Sequence, residues 1–159
     1  MNIKRNIEVA IVGTRGIPNN YGGFEQCAEY LSKGLVKKGF DVTVYNSSEH
    51  KFEHNEIDGV QITKVYCPES KIGAPAHFIY DWLCIRDAIK KGFPIILILG
   101  YGTATPALAL MNKKASKIIT NMDGLEWKRQ KWGFFTKFIF KTMERICVKR
   151  SSAFISDNV

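Results

Sequence analysis

The sequence predicts an α/β fold: a doubly wound, mostly parallel, Rossmann-like sheet forming one domain over residues 1–159. Three observations carry this. Apolar runs of strand length alternate with segments of helical period, the connections between them are short, and Ile95–Leu99 is apolar at every position, as a central parallel strand covered on both faces must be. No repeat or low-complexity tract interrupts the pattern, and a chain of this length hides roughly 70% of its unfolded surface in one core.

The elements follow in order. Ile7–Val12 is a strand that stops at Gly13, and a polar, glycine-rich loop leads into a helix with Phe24, Cys27, Ala28, Leu31 and Leu35 on one face. Lys37, Lys38 and Gly39 end that helix, since cations suit its carboxyl end and glycine permits the left-handed exit. Asp41–Tyr45 is a second strand. After a polar connection, the Asp58-Gly59 turn opens a third, Val60–Tyr66. Pro68–Pro75 is a loop, and His77–Lys91 a helix whose Phe78, Trp82, Ile85 and Ile89 share a face before Gly92 and Pro94 end it. Beyond Ile95–Leu99, Thr105 is read as an N-cap and Pro106 as the first turn of a helix to about Met111. Lys117–Asn121 is a strand, Phe134–Val148 a helix with Phe135, Ile139, Met143 and Ile146 toward the core, and Ala153–Ser156 a last short strand. The chain ends directly after it, the pattern of a domain cut from a longer polypeptide.

Charge is unevenly spread. From Trp127 to Arg150 eight cations face the single acid Glu144, so this stretch carries +7 of the formal +8. An excess of this kind serves an anionic partner, not the fold. Cys27, Cys67, Cys84 and Cys147 lie far apart among apolar neighbours, as reduced, buried cysteines do, and His50, His54 and His77 show no ligand spacing, so no metal is expected. No apolar stretch approaches the ~18 residues of a membrane span and no signal peptide opens the chain, which predicts the cytoplasm.

Four segments carry candidate chemistry. The loop Gly13–Gly23 is longer than the usual two to six residues of a strand-to-helix connection, as functional loops tend to be. Arg15, Gly16, Gly22 and Gly23 are its candidate diphosphate ligands: glycines allow close backbone approach, helix-end amides donate, and the guanidinium forks onto phosphate. The plain alternative is that the glycines only turn the chain. The spacing matches neither the dinucleotide fingerprint nor the Walker pattern. Tyr101, Gly102 and Thr103, directly after the best strand, form a second candidate for sugar or acceptor binding. The third follows the next strand: Asp123 and Glu126 to bond sugar hydroxyls, and the two are also the only catalytic candidates; Trp127 to lie against a sugar face; Lys128 and Arg129 to meet phosphate. A solvated loop with a helix-capping aspartate is the alternative there. The fourth is the basic, aromatic segment, where Lys131, Trp132, Lys137, Lys141 and Arg145 are candidates to face an anionic membrane, against an ordinary helix with a solvated basic face. No recognition motif accompanies it, so nucleic acid is not expected.

Val12-Gly13-Thr14-Arg15-Gly16-Ile17-Pro18, Tyr21-Gly22-Gly23-Phe24-Glu25, Gly39–Tyr45 and Asn121–Trp127 together resemble the N-terminal half of retaining family-four glycosyltransferases of the two-Rossmann-domain (GT-B) type. The likeness spans the whole chain and is greatest to the bacterial rhamnosyltransferase-like branch, whose N-terminal domain is catalogued as a domain of unknown function. It implies an acceptor-side domain whose Gly22 and Gly23 face a donor diphosphate. The loops of Tyr101 and of Asp123–Trp127 would hold acceptor or transferred sugar. A C-terminal donor-binding domain, absent here, would supply most donor contacts, so the isolated domain would be inactive. The implied activity moves a sugar from a nucleotide-diphosphate donor to a glycan or lipid-diphosphate-linked acceptor in surface polysaccharide synthesis, on the inner face of the membrane. It needs no metal, no other cofactor and no protein nucleophile. A non-catalytic nucleotide- or anionic-surface-binding module and an NAD(P)-type reductase fragment are the competing readings.

Overall fold

The computed structural model describes residues 6–112, 115–122 and 124–156. Seven strands, β1 (Glu8–Val12), β2 (Asp41–Ser47), β3 (Glu56–Ile57), β4 (Val60–Val65), β5 (Ile95–Leu99), β6 (Lys117–Asn121) and β7 (Ala153–Ile155), form one sheet in the order β3-β4-β2-β1-β5-β6-β7. Every neighbouring pair is parallel except β3 with β4. The helices are α1 (Gly23–Lys37), α2 (Glu69–Ile72), α3 (Ala76–Lys91), α4 (Thr105–Leu110) and α5 (Phe134–Arg150), with a short 3-10 turn at Glu126–Lys128. The expected doubly wound α/β sheet is therefore the observed one.

Strand alternation divides the core. Val9, Ile11, Leu97 and Leu99 point to the side of α1, where Ala28, Leu31 and Leu35 meet them. Ala10, Val12, Ile96 and Ile98 point the other way, onto Tyr80, Cys84 and Ile85 of α3 and Ala107 and Leu108 of α4. β1 and β5 are hydrophobic on both faces because both faces are covered. At Gly13 the backbone turns with φ +85°, and a Cβ there would lie 2.4 Å from the Leu99 carbonyl oxygen. Only glycine lets the ends of β1 and β5 run this close.

Several expectations are corrected. The buried face of α3 is Tyr80, Asp81, Cys84, Ile85, Ala88 and Ile89, whereas Phe78 is exposed. Ile85 and Ile89 are buried and Trp82 packs against the same core as expected, so only Phe78 leaves the predicted face, and Asp81 joins it among apolar residues. The loop at 68–75 contains α2, and the turn at Asp58-Gly59 closes a two-residue antiparallel hairpin. Thr105 lies inside α4, after the N-cap Ala104, and its hydroxyl donates back to the Tyr101 carbonyl at 2.6 Å instead of accepting a backbone bond. Cys27 is exposed, while Cys67, Cys84 and Cys147 are buried.

The largest correction concerns α5. Its intended core face is open: Phe135 is 74% and Ile139 39% exposed, Met143 and Ile146 are half-buried, and Cys147 alone is buried. The helix is held near its end, where the Arg150 guanidinium donates to the carbonyls of Leu108 (2.6 Å), Ala109 (3.2 Å) and Met111 (2.8 Å). A cation thereby satisfies the acceptors that the C-terminus of α4 leaves without intrahelical donors.

Candidate functional site

From β1 the chain runs outward to β2 and β4 on one side, then crosses back through α3 to β5 on the other side of β1. At such a switch point the loops part and leave a crevice beyond the carboxyl ends of the strands. A hollow of about 430 Å³ lies there, between the glycine loop with the start of α1, the first turns of α3, and the loop after β5.

The glycine loop is braced from within. Glu25, in the first turn of α1 and 4% exposed, accepts the Arg15 amide at 2.8 Å and the Thr14 hydroxyl at 3.3 Å. Asn46 clamps Ile17, accepting its amide at 3.1 Å and donating to its carbonyl at 2.7 Å. The Tyr80 hydroxyl reaches the carbonyls of Thr14 (3.0 Å) and Tyr45 (2.7 Å), tying the loop and β2 to α3. Gly22, the N-cap of α1, has no side chain to take the first amides, and among the described residues no hydrogen bond claims those of Gly23 and Phe24. A Cβ on Gly23 would meet nothing within 4 Å. The helix thus presents open donors and its positive end to the hollow.

Of the proposed diphosphate ligands, Gly22, Gly23 and Arg15 line the hollow. The Arg15 fork is already engaged: it binds the Glu69 carboxylate through Nε (2.9 Å) and Nη2 (2.5 Å), and its guanidinium lies 3.6 Å from the Tyr21 ring centre. The Arg15 hydrogen bonds hold the Glu69 carboxyl down to about 2, and Glu69 in turn raises Arg15. A phosphate recruiting this arginine has to displace a carboxylate. Gly16 serves the loop, not the hollow: with φ +129°, a Cβ on it would lie 2.4 Å from the Asn46 side chain.

Across the hollow, Tyr101, Gly102 and Thr103 line it as expected. The Tyr101 side chain is 1% exposed and belongs to the core. Thr103 donates from its hydroxyl to Asp81 at 2.5 Å. Asp81 and His77, which sequence reasoning missed, both line the same space from α3. Burial pushes the Asp81 carboxyl up to about 6, with the Thr103 hydroxyl and nearby His77 offsetting part of the effect. The only advance signal was an acid placed on a face of apolar residues.

The third segment does not join them. Trp127 donates its ring N–H to Glu144 of α5 at 2.9 Å, and Lys141 stands 5.1 Å from its ring centre. Trp127, Lys128 and Arg129 are outside the lining of the hollow, where Phe140 is the contribution of α5. Asp123 lies outside the described residues, and of Glu126 only the backbone, in the 3-10 turn, is described. In the basic segment Lys131, Lys141 and Arg145 are exposed and Trp132 and Lys137 half-buried, beside Phe134 at 90% and Phe138 at 62% exposure. Among the described residues no helix is long and apolar enough to cross a membrane.

Among the described residues, potential metal-ligand atoms of Cys67, Glu69 and His77 lie within 4.8 Å of one another. Arg15 already supplies Glu69 with positive charge, so a cation would have to expel it.

A family model described as "Domain of unknown function (DUF1972)" matches residues 6–159. Among solved structures, sucrose-phosphate synthase from Thermosynechococcus elongatus is similar with a TM-score of 0.59 at 14% identity, over 96% of this chain and 47% of the synthase. The chain thus spans about half the length of that protein, and its sheet resembles one half of a GT-B arrangement. No curated protein matches the sequence.

Proposed function

The chain belongs to the DUF1972 family, and from that premise we propose that it is the N-terminal, acceptor-side domain of a retaining, nucleotide-sugar-dependent glycosyltransferase. Joined to a donor-binding C-terminal domain, it transfers a hexose, with rhamnose favoured by the motif resemblance, to a glycan or lipid-diphosphate-linked acceptor of surface polysaccharide synthesis. The carrying observation is the open start of α1 at Gly22 and Gly23, which offers two amides and the helix dipole to a hollow of about 430 Å³ at the strand switch point. A nucleotide diphosphate fits that chemistry, and no metal or other cofactor enters the proposal. Acceptor hydroxyls are bonded on the opposite wall, near Thr103. In transfer with retention the bond from the sugar to the phosphate oxygen breaks as the acceptor oxygen bonds to the sugar, the leaving phosphate oxygen takes the acceptor's proton, and helix-end amides stabilise the charge on that phosphate. The work is cytoplasmic, with the cations and exposed phenylalanines of α5 resting on the inner, anionic face of the membrane.

Titration of the full-length polypeptide with UDP, dTDP and GDP, followed by a donor screen with the same protein, tests this reading. Saturable nucleotide binding that Gly23→Leu abolishes is expected. Binding unaffected by Gly23→Leu removes the loop from the site and with it the proposal.

A further inference from the structure

Asp81 is unusual among the acids of this chain. Its side chain sits on the core face of α3, the residue is 3% exposed, and among the described residues no lysine or arginine pairs with it. The hydrogen bond described for it comes from the Thr103 hydroxyl to Oδ2, at 2.5 Å. An aspartate that only maintained the fold would sit in water or against a cation, because an ionised carboxylate buried with one neutral donor is costly. Burial pushes its proton affinity up, to about 6, which records that cost. The residue is nevertheless at the wall of the hollow, not in the closed core, with His77 four residues earlier on the same helix and lining the same space. Among the described residues the His77 Nε2 has no full hydrogen bond, and its nearest polar neighbour is Glu69 Oε1 at 3.3 Å. Around these two, Phe24, Leu99, Tyr80 and Phe140 make the lining largely apolar. Few polar groups in an apolar hollow are the arrangement that orients a ligand carrying both hydroxyls and C–H faces.

We propose that Asp81 is a sugar-binding residue: its carboxylate, held in place by Thr103, accepts a hydrogen bond from a ring hydroxyl of the acceptor saccharide, with His77 as the adjacent polar contact. The proposal deepens the sugar-transfer reading and takes its ligand class from it. No bond is made or broken by Asp81; it positions the hydroxyl-bearing ring against the wall opposite the glycine loop. Carboxylates are the usual partners of sugar hydroxyls because a charged acceptor strengthens the hydrogen bond.

The experiment is saturation-transfer NMR on the chain with a panel of methyl glycosides of rhamnose, glucose, galactose and mannose as probes, repeated on Asp81→Asn. Asparagine keeps the shape and still accepts from Thr103, and near-ultraviolet dichroism verifies that the variant is folded. Contact by at least one glycoside, weakened about tenfold or more in Asp81→Asn, is the expected result, because one charge-assisted hydrogen bond is lost. Undiminished glycoside contact in the variant overturns the proposal, as does a wild-type chain that no glycoside of the panel touches. UDP titration of the full-length polypeptide, wild type and Gly23→Leu, separates the two readings: glycoside contact together with UDP binding that Gly23→Leu leaves unchanged sinks the diphosphate loop and leaves Asp81 standing, and UDP binding lost in Gly23→Leu without glycoside contact does the reverse.

Discussion

Replacing Asp81 with asparagine should stabilise the domain, and only above a defined pH. The carboxyl has its proton affinity raised from an ordinary 3.8 to about 6 by burial. Between those values the folded chain holds a proton that the unfolded chain has released. Stability therefore declines as pH rises through that window, and the loss is complete above it. A separation of about two pH units corresponds to about 3 kcal/mol, an order-of-magnitude figure. Asparagine never ionises and escapes this loss. Urea unfolding of both proteins between about pH 4 and about pH 8 should give nearly equal stabilities at the acid end and a gap opening toward about 3 kcal/mol in favour of the variant at neutral pH. In a domain of this size the gap amounts to a melting temperature higher by about 6 to 12 °C. Glu69 titrates identically in both proteins and cancels. A gap independent of pH, or a variant less stable than the parent at neutral pH, would refute the argument that Asp81 is ionised in a dry wall. Gained stability together with lost glycoside contact is the trade expected of a residue kept for function.

Gly13→Ala should cost about 3 kcal/mol or more, because its Cβ would lie 2.4 Å from a backbone oxygen and its φ is +85°; a near-normal urea midpoint would mean that β1 and β5 can part. Glu69→Gln should cost less than about 1 kcal/mol at neutral pH, since the Arg15 and Glu69 side chains are 26% and 29% exposed. With the Glu69 carboxyl held at about 2, that contribution is whole above its ordinary 4.5 and fades as pH falls toward about 2, so a cost that grows on acidification would contradict the ion pair. A thiol reagent should label Cys27 in the native chain, and Cys67, Cys84 and Cys147 only on unfolding; native labelling of all four would contradict the packing of α3 and α5. Neutralising Lys137, Lys141 and Arg145 together should weaken binding to anionic vesicles, with a smaller effect at high salt; equal binding at low salt would leave α5 with a merely solvated basic face.

Periodicity was enough for the six parallel strands, though not for the two-residue β3. Ile95–Leu99 announced a strand buried on both sides, and the glycines at 13, 22 and 23 marked where the first connection had to bend and open. Where reading failed, tertiary contacts had overridden a local pattern. Phe135 and Ile139 have helical spacing and hydrophobicity, yet α5 packs on α4 and the 3-10 turn and buries Cys147 near its carboxyl end, a choice no local window contains. Asp81 was passed over because a core face is recognised by apolar residues, and an acid on it looks like an interruption. The pairing of the Arg15 fork with Glu69 is invisible to any local window, because the two lie 54 residues apart in the sequence.

Tyr80 bears on how the hollow behaves when empty. A single phenol reaches carbonyls on two separate segments, so motion of either is transmitted to α3 and resisted by packing already in place. That side keeps its shape before anything arrives. A guest of the proposed kind would be held there for the fit of its outline against a pre-set surface, with little ordering of the polypeptide on its arrival.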